Sequence, residues 1–357
     1  MKIPRILLAA GASGSGKTLI TCGLLQALVN RKKKVASFKC GPDYIDPMFH
    51  SRVIGTKSRN LDTFFTDADT TRYLLRRNAA DCDIAVMEGV MGFYDGVGGI
   101  STRASAYDLA DTTDTPVILI VNSRGMSISL AAYIKGFMEY KENSHIKGVI
   151  FNQMSPMLYP RMKKLVEEEL GIEVFGYVPK VEDCVIESRH LGLVLPEEIV
   201  DLKERLQKLA GVLEETLEID RILALAENAP DLNAPESLSQ KNPAFDFRLP
   251  QKLRIGVAKD EAFCFFYEDN FRLLQEMGAE LVEFSPVHDA HLPKNLDGML
   301  LYGGYPELNG EALEQNESMK TEIAQAVNGG MPCMAECGGF MYLHERMEDM
   351  DGISRKT

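Results

Sequence analysis

The sequence predicts an α/β protein: a doubly wound parallel-sheet domain carrying a phosphate-binding loop, then a second, smaller α/β domain. Three observations lead there. From the N-terminus onward, short apolar runs alternate with helical stretches, the βαβ pattern of a parallel sheet covered on both faces. A complete G-x4-G-K-[ST] match, Gly11 to Thr18, stands between the first apolar run and the first helical stretch. The strand pattern then restarts at Leu253, after a segment rich in Pro, Asn, Ser and charge.

Taken in order, the first domain is expected to hold strands at Ile6–Ala10, Val35–Phe38, Ile84–Met87, Val117–Val121, Val149–Phe151 and Val174–Val178. Helices are expected over Leu19–Val29, where apolar residues recur at 20, 24, 25 and 28, and over Ile128–Tyr140. A last helix should run from about Pro196 to Glu227. Residues 228–251 have no period and read as a linker, which places the first domain at 1–227 and the second at 252–357. In the second domain, strands are expected at Leu253–Val257, Glu280–Phe284 and Gly298–Tyr302, with a helix near Tyr267–Met277. Its final unit is an apolar strand, a turn at Glu336-Cys337-Gly338-Gly339, a helix to about Met347, and a short polar tail.

At about 100 to 200 residues per domain, 357 residues give two or three domains. Lys and Arg number 39 against 52 Asp and Glu, a net charge of -13, with 45% hydrophobic residues. That composition excludes disorder as the whole answer. An acidic surface repels phosphate backbones, so neither nucleic acid nor an anionic membrane is an expected partner, and the ligands should be small. The seven cysteines are odd in number, scattered and without CxxC spacing, which argues against a disulfide framework or zinc site and for a reducing cytoplasm. Lys2 and Arg5 ahead of Leu7-Leu8-Ala9-Ala10 imitate a secretion signal, but a glycine-rich turn ends the run, and it reads as a first strand. No apolar run approaches the roughly 20 residues that cross a bilayer.

The phosphate loop carries the clearest chemistry. Glycines such as Gly14 and Gly16 let backbone N–H groups turn inward around phosphate oxygens, Lys17 neutralises the β/γ charge of ATP, and the Thr18 hydroxyl is placed to ligate Mg²⁺. Magnesium needs further oxygen ligands. Two carboxylate-bearing segments follow strands whose carboxyl ends should border the nucleotide: Gly41-Pro42-Asp43-Tyr44-Ile45-Asp46-Pro47, and Glu88 through Asp95-Gly96. Asn152, at the end of a further strand, offers an amide to an adenine edge, although an Asn also simply ends strands. Arg189 and His190 put two cationic-capable groups in a loop beyond the sixth expected strand.

In the second domain, Ala335-Glu336-Cys337-Gly338-Gly339 lies between a strand and a helix, the arrangement of a nucleophile elbow with cysteine in place of serine. A helix N-terminus favours the thiolate, and the Gly338 N–H is a candidate oxyanion donor. The Gly303-Gly304 loop, after a neighbouring strand, is the candidate source of the second, assigned to Gly304. Cys22, Cys82 and Cys333 read as buried structural cysteines. No base is evident: His344 sits two turns on in the same expected helix, about 10 Å along its axis, and His288 and His291 lie in an upstream loop.

These segments in this order, with Arg189-His190-Leu191-Gly192-Leu193, Asp260-Glu261-Ala262-Phe263 and Phe284-Ser285-Pro286, resemble the cobyrinic acid a,c-diamide synthase family, glutamine-dependent amidoligases of corrinoid biosynthesis. The resemblance covers nearly all of the chain. It implies a class I glutamine amidotransferase-like second domain, in which Cys337 attacks the glutamine amide and releases ammonia. In the first domain ATP and Mg²⁺ would convert a substrate carboxylate to an acyl phosphate that ammonia displaces. By matched position Asp43, Glu88 and Thr18 are the expected metal ligands, while Asp46 and Asp95 are assigned to substrate placement or the ammonia step. The family takes its catalytic histidine from beyond the elbow helix. The second domain is therefore expected to be incomplete here, and the chain either to use free ammonia or to be an incomplete product.

The resemblance also leaves the tetrapyrrole open between cobyrinate, hydrogenobyrinate and a nickel-sirohydrochlorin, and leaves a homodimer open. Two readings from other classes compete. A partition-type P-loop ATPase would carry a signature lysine where this chain has Ala12, and has no use for a cysteine elbow. A cysteine hydrolase with a vestigial nucleotide domain would act without ATP.

Overall fold

Every residue of the first strand, Arg5–Ala10 (β1), is buried. A strand apolar on both faces belongs in the middle of a covered parallel sheet. The strands that follow it are Val35–Cys40 (β2), Lys57–Leu61 (β3), Ile84–Glu88 (β4), Val117–Asn122 (β5), Ile146–Asn152 (β6) and Glu173–Val178 (β7). All seven are parallel, in the order β3-β2-β4-β1-β5-β6-β7, which puts β1 at the centre. The computed structural model describes residues 1–181, 196–238, 247–249 and 251–357. They fall into two compact units, Met1–Leu238 and Ser239–Thr357.

Helix Lys17–Asn30 follows the phosphate loop and is buried along most of its length. It is sandwiched because Gly23 lacks a side chain: a Cβ there would lie 2.6 Å from Leu213 Cδ1 and 2.8 Å from Leu209 Cγ, on the covering helix Pro196–Thr216. The single helix expected from Pro196 to Glu227 is in fact two, Pro196–Thr216 and Ile219–Glu227. Between them the backbone leaves the helix to bond β7: Leu217 bridges Gly176, and the Glu218 N–H donates to the Phe175 carbonyl at 2.8 Å. The start of the expected linker also packs on this unit, with Leu232 buried and its N–H donated to the Met1 carbonyl at 2.9 Å. Arg189 and His190 lie outside the described residues.

Strand β3 has no counterpart in the sequence reading. Lys57-Ser58-Arg59-Asn60-Leu61 carries a single aliphatic residue, but as an edge strand it needs only one neighbour, β2. The Asn60 amide then donates to the carbonyls of Gly41 and Asp43, at 2.9 and 2.6 Å, and so fixes the carboxylate loop.

The second unit holds Arg254–Ala258 (β8), Glu280–Phe284 (β9), Gly298–Leu301 (β10) and Cys333–Ala335 (β11), parallel in the order β11-β10-β8-β9. Helices Glu268–Glu276, Gly310–Gln315 and Glu317–Asn328 connect them. The helix after the elbow stops at Tyr342 rather than reaching Met347, and the expected polar tail is an antiparallel hairpin of Arg346–Glu348 (β12) and Ser354–Lys356 (β13). Turn chemistry decides this: Asp349 Oδ1 accepts from the N–H groups of Asp351 and Ile353, and Gly352 takes φ 75°. Among the described residues no helix is long and apolar enough to cross a membrane.

Packing across β6 and β7 leaves no room for one methyl group. A Cβ on Gly148 would lie 2.1 Å from Phe175 Cε2. Gly148→Ala is expected to lower stability by about 1–3 kcal/mol in urea unfolding with an unchanged m-value; an unaltered midpoint would contradict this packing.

Candidate functional site

At the end of β1 the chain turns into the phosphate loop through Gly14 and Gly16, with φ of 74° and 92°. Only glycine adopts these freely. Gly16 is doubly constrained, since a Cβ there would lie 2.3 Å from the Asn152 side-chain nitrogen. That amide donates to the Ser15 carbonyl at 2.8 Å, and its oxygen accepts the Gln153 N–H at 3.0 Å. Asn152, expected from sequence at an adenine edge, is buried and braces the loop with one of its two amide N–H groups. Lys17 donates to the carbonyls of Ala12 and Met91, at 3.2 and 2.5 Å, tying the loop to the segment after β4. Burial lowers its pKa, against the attraction of Glu88 and with the repulsion of Lys39.

Beside this loop the carboxyl ends of β2 and β4 carry one charge cluster. Lys39 and Glu88 are cross-strand partners in register, which directs both side chains to the same face of the sheet. Both are buried: Glu88 is 0% and Lys39 5% exposed. The Lys39 ammonium donates to Glu88 Oε1 at 2.7 Å and to Asp46 Oδ2, and lies 3.9 Å from Asp43 Oδ2. Burial lowers its pKa, but Glu88 and Asp46 outweigh that, and its pKa is raised. Burial together with the Glu88 charge raises the Asp46 carboxyl, against Lys39. On the far side of Glu88, His50 Nε2 stands 3.7 Å from Oε2 and 3.5 Å from Cys22 Sγ. Burial pushes this histidine down to about 4, so it is neutral near pH 7.

The Thr18 hydroxyl donates to Glu88 Oε1 at 2.7 Å. Among the described residues Glu88 Oε2 is buried without a hydrogen-bond partner, an unspent oxygen next to the phosphate loop. Among the described residues no three His, Cys, Asp or Glu side chains form a cage for an ion. A Mg²⁺ held by one hydroxyl, one or two carboxylates and nucleotide phosphates needs no such cage, and Thr18 with Glu88 fits it. Asp43 fits less directly, because its Oδ1 accepts from the Ile45 and Asp46 N–H groups, at 2.8 and 3.2 Å, and its Oδ2 is paired with the Lys39 ammonium at 3.9 Å. Asp95 stands apart from the Lys39 cluster. Its Oδ2 accepts the Gly92 N–H at 3.0 Å, and a Cβ on Gly92 would meet both this oxygen, at 2.3 Å, and the Gly11 carbonyl, at 2.8 Å.

In the second unit Cys337 joins β11 to helix Gly338–Tyr342 at φ 50°, ψ -119°. A non-glycine residue pays about 1–3 kcal/mol for such a conformation. The turn is held by its neighbours: the Glu336 N–H donates to the Leu301 carbonyl at 3.1 Å, and a Cβ on Gly339 would lie 1.9 Å from that same oxygen. The thiol is exposed and borders the glycine pair after β10, since a Cβ on Gly303 would be 3.3 Å from Cys337 Sγ. A Cβ on Gly338 would lie 3.2 Å from the Gly304 nitrogen, so the two expected oxyanion donors meet at the elbow. Gly304 packs on the Ala262 carbonyl, and that loop hangs on Asp260, whose carboxylate accepts from Ala262, Phe263, Val287 and the Ser285 hydroxyl. His288 and His291 are each paired to a glutamate, Glu261 and Glu322, at 2.7 Å, and His344 lies past the end of the helix, edge-on to Phe340.

Lys39 and His50 were not singled out from sequence. Lys39 left a signal, the one charged residue in the strand that leads into Gly41-Pro42-Asp43. His50 left none, because its packing against Cys22 and Glu88 is tertiary. Replacing Lys39 by Met leaves Glu88 and Asp46 facing each other unneutralised, and is expected to cost about 3–5 kcal/mol of folding stability by denaturant titration. A loss below about 1 kcal/mol, the scale of a surface pair, would contradict the buried cluster.

Residues 6–193 match the CobQ/CobB/MinD/ParA nucleotide binding domain, and residues 254–357 the CobB/CobQ-like glutamine amidotransferase domain. Cobyrinate a,c-diamide synthase of Dehalococcoides mccartyi (strain CBDB1) is 42% identical over 356 residues, covering 98% of this chain and 75% of its own. The enzymes of that name from Caldanaerobacter subterraneus and Clostridium acetobutylicum are 39% and 41% identical, over 98% and 96% of this chain and 75% and 76% of theirs. Among solved structures, the MinD cell division protein of Aquifex aeolicus covers 57% of this chain and 97% of its own at 17% identity, with a TM-score of 0.36. On the sequence matches, the chain belongs to the cobyrinate a,c-diamide synthase family.

Proposed function

We propose that the chain amidates the a and c carboxylates of cobyrinate, using ATP and an ammonia equivalent, in cobalamin biosynthesis. The observation that carries this reading is the join between the phosphate loop and the carboxylate cluster: Thr18 bonded to Glu88, and Glu88 to Lys39 and Asp46. A nucleotide switch needs a phosphate loop and one metal-linked acid. A ligase must also seat a second reactant beside the γ-phosphate, and Asp43, Asp46 and Asp95 lie on the two loops that border it.

In the proposed reaction a substrate carboxylate oxygen attacks the γ-phosphorus of ATP, ADP leaves, and an acyl phosphate forms. Ammonia then attacks the acyl carbon, loses a proton, and expels phosphate to leave the amide. The Gly14–Lys17 backbone and the Lys17 ammonium hold the phosphates. Thr18 and Glu88, with Asp43 behind them, would hold Mg²⁺, which when bound neutralises charge on the transferring phosphoryl group. Asp46, whose carboxyl is raised by burial and by Glu88, and Asp95, beside Gly11, are assigned to substrate placement and to the proton that ammonia loses.

In the second domain the strained Cys337 is the proposed nucleophile toward glutamine, with the Gly304 and Gly338 N–H groups facing the oxyanion. Its thiolate attacks the side-chain amide carbon, the amide nitrogen takes a proton from water and leaves as ammonia, and water hydrolyses the resulting thioester to glutamate and the free thiol.

The test is to supply ATP, Mg²⁺ and cobyrinate with ammonium or with glutamine, and to follow the mass of the corrinoid. Two successive exchanges of hydroxyl for amino are expected with ammonium. No amide from either nitrogen source overturns the reading. If only hydrogenobyrinate or nickel-sirohydrochlorin is amidated, the substrate changes and the ligase stands.

Cys337→Ala should leave the ammonium-supported rate at the wild-type value and abolish any glutamine-supported rate. Loss of both would place Cys337 outside a separate glutaminase step. Glu88→Gln should raise the Mg²⁺ concentration at half-maximal rate by on the order of 10- to 100-fold, and an unmoved midpoint would remove Glu88 from the metal site.

A further inference from the structure

Against the phosphate loop the first unit holds a cavity of about 540 Å³ that the steps above leave unassigned. Its wall is aromatic. Tyr94, Tyr133, Phe137 and Tyr140 line it together with Gly11 and Asp95. Tyr94 and Phe137 stack at 18° with centroids 5.7 Å apart, and Tyr133 and Tyr140 extend the wall at 5.0 Å from Phe137 and 4.9 Å from Tyr94. The Tyr94 hydroxyl donates to the Phe137 carbonyl at 2.7 Å, which holds the stack in one orientation. Tyr140 is nevertheless 65% exposed, and Ile100, which also lines the cavity, is 96% exposed at the end of a turn through Gly98 and Gly99. Pockets of roughly 300–1,000 Å³ with apolar walls and a few fixed polar groups are the usual form of small-molecule sites.

Two features set the chemistry of the occupant. The wall touches the reacting end of the domain: the Tyr133 hydroxyl lies 1.8 Å from where a Cβ on Gly11 would stand, so the first glycine of the phosphate loop is in direct contact with it. Asp95 shares both regions. A molecule lying on the rings therefore points its edge toward the site of phosphoryl transfer. At the outer rim the Lys141 ammonium sits 5.6 Å from the Tyr140 centroid and 5.9 Å from that of Tyr107, a cation held over the rings and complementary to an anionic edge. A flat conjugated ring with carboxylates around its edge meets both demands.

We propose that this cavity seats one face of the planar tetrapyrrole substrate. Its ring lies on Tyr94, Phe137 and Tyr140 under Ile100, one edge carboxylate faces Lys141, and the carboxylate to be amidated faces Gly11 and Asp95. The inference rests on the proposed ligase reading for the identity of the tetrapyrrole.

The test uses the full chain with Tyr140→Ala, Tyr140→Trp and Ile100→Ser, substitutions at exposed positions that leave the core intact. Cobyrinate binding is measured by equilibrium dialysis, and KM values for cobyrinate and ATP are measured separately with ammonium as nitrogen donor. Tyr140→Ala should raise both Kd and KM for cobyrinate about three- to tenfold, Ile100→Ser should raise them in the same direction, Tyr140→Trp should restore them, and KM for ATP should stay constant. Cobyrinate constants unchanged in Tyr140→Ala and Ile100→Ser would overturn the proposal, as would a rise confined to KM for ATP, which would give the cavity to adenine. Wild-type chain that binds no cobyrinate would also overturn it. Wild-type chain that binds cobyrinate, loses that binding in Tyr140→Ala, yet forms no amide would sink the ligase reading and keep the site.

Discussion

An ammonium group taken out of water keeps its proton only if opposing charges are fixed close to it, and the first unit is organised around one such group. Lys39 is the penultimate residue of β2, just before the loop that bears Asp43 and Asp46, and it pairs across the sheet with Glu88 at the end of β4. Three chain segments are thereby fixed by one cation. Thr18 of the phosphate loop joins through Glu88 Oε1, and Asn60 of β3 secures the Asp43 loop from its other side. The carboxylates assigned to the proposed reaction are thus held in place before any nucleotide binds. Mutual repulsion would otherwise drive Glu88 and Asp46 apart or protonate them. The cation holds two buried acids on one ammonium, one of them with an oxygen unspent among the described residues.

A different device orders the second unit. There the reactive group is placed by backbone strain: Cys337 takes a left-handed conformation because Gly338 and Gly339 let the chain pass against Pro306 and the Leu301 carbonyl, where a side chain would collide. The Asp260 carboxylate supports the arrangement through the loop under Gly304. The first unit invests in electrostatics and the second in shape, in keeping with the chemistry proposed for each, stabilising a transferring phosphoryl group and exposing a thiol.

Much of this was legible in the sequence, for physical reasons. Buried parallel strands are apolar throughout, so β1, β4 and β5 announce themselves, and the phosphate loop and elbow are legible because glycine is forced where backbone must approach closely. What escaped depended on tertiary partners. Strand β3 is polar because it lies at an edge and is held by its ladder to β2. Lys39 shows in the sequence as a lone charge in its strand, but the role of that charge comes from Glu88, forty-nine positions away. The bond from the Asn152 amide to Ser15 also depends on the fold, since the two lie 137 positions apart. The helix break at Leu217 and the hairpin at 346–356 were missed because backbone pairing with β7, and an aspartate turn, outweigh local helical pattern.

The central claim is that the phosphate loop and the Lys39 cluster together convert a substrate carboxylate into an acyl phosphate. The most direct measurement is the fate of isotopic oxygen. With cobyrinate labelled with oxygen-18 in its carboxylates, and with ATP, Mg²⁺ and ammonium, the account predicts one labelled oxygen in the inorganic phosphate for each amide formed. Amide formation with unlabelled phosphate would contradict it.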